Sequence, residues 1–220
     1  MLLAVDTSTA QIGIALYDGV RVLGETSWTS ARRHTVQLAP AAAQVLERAG
    51  KSFADLTALG VATGPGSFTA LRVGLAFVKG LAIGRGLPII GVPTLDILAA
   101  AQPVQELPLA AALQAGRGRI AVGWYRAENG RWVQDGPAVL MTPAGLSNLI
   151  HSPTLLAGEF DEQARTALGR KWKNSRLSTP ARSVRRPALL AELAWERLQA
   201  GQSDDPAALE PIYLAEVVGE

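Results

Sequence analysis

Residues 60–91 read GVATGPGSFTALRVGLAFVKGLAIGRGLPIIG, and this stretch decides the fold. A short apolar run ends in Gly64-Pro65-Gly66, Ser67 stands where a helix N-cap belongs, and an apolar segment continues to Gly84 before Gly86 and Pro88 break it. The order is strand, glycine loop, helix, strand. Within the helix only Arg72 and Lys79 are charged, and their spacing of seven residues is two turns, so they share one narrow stripe on an otherwise apolar or small circumference. Such a helix has to be covered almost all round. Gly74, Gly80 and Gly84 each cost about 1 kcal/mol against Ala, which predicts close approach of another element. At 1.5 Å per residue the helix is roughly 27 Å long. That exceeds the flank of one small sheet, so a second protein chain is expected to cover part of it.

The 220 residues, 48% hydrophobic and 18% charged, supply a real core for one large domain or two smaller ones. Cysteine is absent, which excludes disulfides, thiolate zinc sites and a cysteine nucleophile, and fits a reducing compartment. Lys plus Arg number 21 against 19 Asp plus Glu, a mildly basic balance. Arg72, Lys79 and Arg85 interrupt the longest apolar run before it reaches the roughly 18 residues that span a bilayer, and no charged leader precedes the first strand. The expectation is a soluble, cytoplasmic protein with no membrane association.

Taken in order, Met1 to Val5 is an apolar strand stopping at Asp6-Thr7-Ser8-Thr9, Gln11 to Tyr17 is a second strand, and Asp18-Gly19 turns into a third over Val20 to Trp28. Leu38, Ala42, Val45, Leu46 and Ala49 keep helical spacing up to Gly50, with Pro40 kinking that helix or marking its first turn. Leu56 to Ala62 is the strand before the glycine loop, and Thr94 to Ala101 is a short helix. Leu109 to Tyr125 then overlays Met1 to Tyr17 without a gap at an offset of 108, and a hairpin at Glu128-Asn129-Gly130 follows. A helix over Pro143 to Leu149, a strand over Thr154 to Ala157 and a helix over Pro187 to Ala200 complete the second half, with Tyr213-Leu214 as a last short element. The prediction is an α/β chain of two related lobes, 1–103 and 104–220.

A duplicated apolar strand that ends in Asp and hydroxyl residues is how actin-like, sugar-kinase and heat-shock ATPases hold nucleotide phosphates. Asp6, Thr7 and Ser8 are therefore candidate phosphate residues, although such residues also bond to their own turns. In the overlay the counterpart of Asp6 is Gln114, which supplies no second carboxylate, so hydrolysis is disfavoured. Gly64, Gly66 and Ser67 before a helix start form a second candidate anion site, one without the lysine of a P-loop. His34 and His151 are the only histidines and lie too far apart in sequence for paired-imidazole metal spacing; His34 is expected to tether a helix start. No G-x-S-x-G occurs. Between Arg165 and Arg186 eight basic residues and Trp172 stand without one acid, a solvated connector or a contact for a phosphate backbone.

MLLAVDTSTAQIGIALYDG at the start, Arg33-His34-Thr35 with Leu38-Ala39-Pro40, the block ATGPGSFTALRVGLAFVKGLA, GLPIIGVPTLDILA and Glu210-Pro211-Ile212-Tyr213-Leu214 occur in that order. Together they resemble the TsaB (YeaZ) family, the dimerisation subunits of the bacterial tRNA threonylcarbamoyladenosine machinery, related to the glycoprotease (Kae/Qri) family. The resemblance is specific over most of residues 1–100 and extends to the rest by layout. It implies a two-lobed actin-like (ASKHA) fold with βββαβα lobes, no catalysis and no cofactor or metal of its own. It also implies a TsaD-like catalytic paralogue and a TsaE-like ATPase as partners, a homodimer when alone, and indirect association with tRNA. The contact helices carried over are Thr35 to Ala49 and Ser67 to Gly84, with Leu38, Ala42, Val45, Leu46, Ala70, Leu71, Gly74, Phe77, Val78 and Leu81 as expected interface residues. The Asp-Ala-Arg common in the family is replaced here by Gln114-Ala115-Gly116-Arg117, which puts a role for that loop in doubt.

Overall fold

Alternation along the first strand organises the first lobe. In β1 (Leu2–Asp6) every residue is buried: Leu3 and Val5 face one layer of helices and Leu2 and Ala4 the other, so the strand is central and covered on both faces. The computed structural model describes residues 1–30, 33–171 and 173–214. Its first unit comprises Met1–Ile97 and Arg186–Ile212. There β2 (Gln11–Tyr17) and β3 (Val22–Thr29) extend β1 as an antiparallel meander. On the other side β4 (Ala58–Gly64) and β5 (Ile89–Pro93) run parallel, in the order β3-β2-β1-β4-β5. The β2–β3 turn forms where predicted: Asp18 Oδ1 accepts from the amides of Val20 (2.9 Å) and Arg21 (2.7 Å), and Gly19 takes φ 96°.

Helices α1 (His34–Arg48) and α2 (Phe68–Arg85) cover one face of this sheet, and α6 (Pro187–Gln199) covers the other. Gly86, with φ 65°, ends α2 in the left-handed conformation. Pro40 lies inside α1, which begins earlier at His34. The face toward α6 is made of small residues, Ala4, Ala15, Ala58 and Ala62, and a Cβ on Gly60 would stand 2.9 Å from Ala194 Cβ. This lets α6 lie close to the strands, while Tyr17 and Trp195 meet edge to face at 5.9 Å. The lobe boundary at 103/104 is therefore corrected. Helix α6 belongs to the first unit, because its Leu190, Ala191 and Ala194, together with Ile97, bury the sheet's second apolar face.

The second unit, Leu98–Arg185, repeats the plan with β6 (Leu109–Gly116), β7 (Arg119–Glu128), β8 (Arg131–Gln134), β10 (Thr154–Gly158) and β11 (Ser175–Leu177) in the order β11-β10-β6-β7-β8. Strand β9 (Val139–Met141) also pairs with β7, and α4 (Pro143–Leu149) and α5 (Glu162–Gly169) pack on one face. Short helix α3 (Thr94–Ala100) follows β5. The β7–β8 hairpin turns on Asn129 (φ 51°) and Gly130 (φ 75°), both left-handed as a tight hairpin requires. The duplication stands, but the ungapped overlay slips in β6. Leu2 pairs with Tyr17 whereas Leu109 pairs with Tyr125, so β7 follows the offset of 108 and β6 lies one residue short of it. Ala110 and Ala112 consequently occupy the helix-facing places of Leu3 and Val5, and the counterpart of Asp6 is the buried Leu113 rather than Gln114. The basic segment is no plain connector either: it contains part of α5, capped by Asp161 through the amide of Ala164 (2.8 Å), and β11. Residues 211–214 form no regular element.

Candidate partner interface and the strand-end loop

The candidate phosphate residues do come together, and they bond to one another. Thr7 Oγ1 donates to the carbonyl of Ala70 (2.7 Å), the Ser8 amide donates to Asp6 Oδ1 (2.8 Å), and the Ser67 amide donates to the carbonyl of Ser8 (2.6 Å). The hydroxyls of Ser8 and Thr94 lie 2.8 Å apart, and Thr94 Oγ1 accepts from the Gly64 amide (3.0 Å). Asp6, Thr7 and Ser8 are buried. Glycine is required for this closeness: a Cβ on Gly66 would collide with the Ser8 carbonyl, one on Gly74 with Thr7 Oγ1, and one on Gly64 would stand 2.7 Å from the carbonyl of Ile212. The Ile212 amide also donates to the carbonyl of Thr63 (2.7 Å). The loop is a strut that fixes the N-terminal turn of α2 to the end of β1 through Thr7, Ser8 and the Ser67 amide, while the exposed Ser67 side chain makes no cap bond.

The lobe's own core takes up the expected interface residues. Leu38, Ala42, Val45, Leu46, Ala70, Leu71, Gly74 and Val78 are buried within their own lobe, and Phe77 and Leu81 are half-buried against the same core. These ten residues hold α1 and α2 onto the sheet, and the opposite side of the helices is left uncovered by the lobe. That side carries Phe68, Thr69, Arg72, Ala76, Gly80 and Ile83 on α2 and Val36 and Ala39 on α1, all exposed, with half-buried Val73 among them. Val36 (67%), Phe68 (53%) and Ile83 (70%) are the conspicuous apolar members. Nothing lies within 4 Å of a Cβ placed on Gly80 or Gly84, whereas Gly74 is filled internally by Thr7. Sequence reasoning missed this outward set, although the phase of Arg72 on the helix marks it.

A groove of about 460 Å³ runs between α1 and α2, with Thr35, Ala39, Phe68, Val73 and Ala76 in its walls. Arg72 covers one rim, its guanidinium carbon 3.8 Å from the centre of the Phe68 ring. A neighbouring hollow of about 580 Å³ shares Thr35, Thr69 and Val73 and reaches Thr9, His34 and Ser67. His34 tethers the start of α1 as expected, Nε2 standing 2.9 Å from the carbonyl of Thr9.

Of the basic segment, Arg185 is buried and paired with Glu159, and Arg186 pairs with Glu25 at 2.5 Å, which raises the Arg186 pKa above its ordinary value. Arg170, Lys171, Lys173, Arg176 and Arg182 are exposed. Trp172 lies outside the described residues. Among the described residues no group of three His, Cys, Asp or Glu side chains is placed to hold a metal ion, and no helix is long and apolar enough to cross a membrane.

A family model described as TsaD, tRNA N6-adenosine threonylcarbamoyltransferase, matches residues 22–174. The tRNA threonylcarbamoyladenosine biosynthesis protein TsaB of Escherichia coli (strain K12) is 30% identical over 97% of this chain and 94% of its own length. The chain belongs to the TsaB family. TsaB of Bacillus subtilis (strain 168) is likewise 30% identical, over 97% of this chain and 93% of its own. The solved structure of YeaZ from Pseudomonas aeruginosa superposes with a TM-score of 0.78 at 26% identity, covering 97% of this chain and 99% of that one. Both lobes thus have the duplicated actin-like α/β architecture expected of a TsaB-family member.

Proposed function

We propose that this chain is the non-catalytic dimerisation subunit of the machinery that installs threonylcarbamoyl on a tRNA adenosine. In this reading the outward face of α1 and α2 seats a TsaD-like catalytic paralogue. A second copy of the chain takes that place when the paralogue is absent, and a TsaE-like ATPase joins the pair. The observation that carries the reading is the side of α2 that its own lobe leaves uncovered, where Ala76 and Gly80 bring the backbone near the surface between Phe68 and Ile83. A partner helix laid there recovers the packing that the exposed glycines forgo. Exchange of partners follows from the shape shared by paralogous lobes. A scaffold role is further supported by the strand-end loop, whose Thr7 and Ser8 groups are engaged in holding α2.

Ala76→Asp tests it. The residue is exposed, so the substitution leaves the lobe folded, but it sets an unpaired carboxylate in the contact. Loss of about 3 kcal/mol or more is expected for an uncompensated buried charge, at least a hundredfold in affinity. Size-exclusion chromatography should show a dimer become a monomer, and the catalytic subunit should no longer co-elute. Unchanged elution in both experiments would place the partner elsewhere.

A further inference from the structure

We infer that the corner where α5 meets β11 is a contact for the sugar-phosphate backbone of tRNA, so that this subunit touches the nucleic acid directly. The inference rests on the reading above only for the identity of the RNA. Residues 165–186 contain eight Arg and Lys and no acid. Ion pairs with Glu159 and Glu25 engage Arg185 and Arg186, and half-buried Arg165 reaches the carbonyl of Ser178 at 3.5 Å. Arg170, Lys171, Lys173, Arg176 and Arg182 are exposed, Lys173 with an interaction of its own.

The turn after α5 gathers the central cations. The amides of Asn174 and Ser175 both donate to the carbonyl of Lys171 (2.8 Å each), and Thr154 at the start of β10 donates to the carbonyl of Asn174 (2.8 Å). Arg170, Lys171, Lys173 and Asn174 thereby line one open hollow of about 260 Å³. Two structural roles account for part of this charge. A cation at the end of α5 complements the helix dipole, and Arg176 on the edge strand β11 discourages sheet-to-sheet pairing. Neither requires three cations around one concavity. Cations grouped round an open hollow, in a stretch of chain without an acid, complement a phosphate backbone, so the corner matches RNA.

The test uses the full chain and an unmodified tRNA transcript in a mobility-shift titration at several salt concentrations. The triple variant Arg170→Gln/Lys171→Gln/Lys173→Gln is compared with Arg126→Gln/Arg131→Gln, which removes two cations from the β7–β8 hairpin of the same lobe. Each phosphate contact contributes about one unit to the slope of log K against log salt. The triple variant should therefore lose about three units of slope and at least tenfold in affinity at low salt, while the hairpin variant stays within about twofold of the parent. Equal behaviour of the two variants overturns the inference, as does absence of tRNA binding by the parent chain. Binding of polyglutamate at this corner in preference to tRNA would assign it to an acidic protein and overturn it too. Co-elution with the catalytic subunit is measured on the same samples. Its failure in the parent would sink the scaffold reading and leave the RNA result standing; a lost slope with intact co-elution separates the two the other way.

Discussion

The same substitution at two glycines of α2, six residues apart, should have opposite effects. Gly74 faces inward, where a methyl group would enter the shell of Thr7 Oγ1; Gly80 faces open space. Overpacking at Gly74→Ala costs about 1–3 kcal/mol. Displacing the Thr7 hydroxyl from the Ala70 carbonyl, a bond of 2.7 Å between buried groups, adds about 1–3 kcal/mol. Better helix propensity returns about 1 kcal/mol, leaving a net loss of about 1–5 kcal/mol. At roughly 2–4 °C per kcal/mol for a chain of this size, Gly74→Ala should melt about 2–20 °C below the parent. Gly80→Ala keeps only the propensity gain and should melt about 2–4 °C above it. Circular dichroism melts should be run where the chain is dilute enough to be monomeric, because association would add its own stability to the parent. A Gly74→Ala protein as stable as the parent, or a Gly80→Ala protein that loses as much as Gly74→Ala, refutes the assignment of inner and outer sides of α2.

Two further outcomes follow from burial. Glu159→Gln removes the partner of Arg185, whose side chain has no exposure, and should destabilise the second lobe by about 3–5 kcal/mol, read as a lower urea midpoint. Truncation after residue 186 removes α6 and bares the Ala-rich face of the first sheet, so the shortened chain should aggregate or bind ANS; a cooperative melt without dye binding would restore the boundary at 103/104.

The elements that sequence declared most clearly are those whose pattern is local. Strand β1, the Asp18-Gly19 turn, the glycine loop and both ends of α2 were all legible, because Gly86 and the period of two or 3.6 residues act within one element. The place of α6 was not. Its pattern shows an apolar side, but Leu190, Ala191 and Ala194 carry no mark saying which sheet receives them, and the answer lies in Ala4, Ala15 and Gly60 far away in the chain. The slip in β6 was hidden for a similar reason: alanines at 110, 111 and 112 fit either face, so letters could not fix a register that pairing with β7 fixes at once. The expected interface residues fall on the inner side of the helices because α2 carries apolar residues on both sides, which leaves Arg72 as the outward marker; Lys79 is itself half-buried.

Loop and interface turn out to be one mechanical unit. The inward peptide groups of the first turn of α2 are bonded to the strand-end loop through Thr7 and Ser8, while Phe68, Thr69 and Arg72 from the same turn form the wall of the groove. Hydroxyl and amide bonds are directional, so they fix the rotation of α2 about its axis more tightly than apolar contact with the sheet, which tolerates sliding. That rotation decides whether Ala76 and Gly80 or Gly74 and Val78 face outward. A phosphate entering the loop would have to break the bonds of Thr7, Ser8 and Ser67, each worth about 1 kcal/mol net and more when a buried group is left unpaired. It would also loosen the first turn of α2. The polar strand end therefore sets which side of α2 the lobe leaves uncovered through bonds that a phosphate could reach only by breaking them.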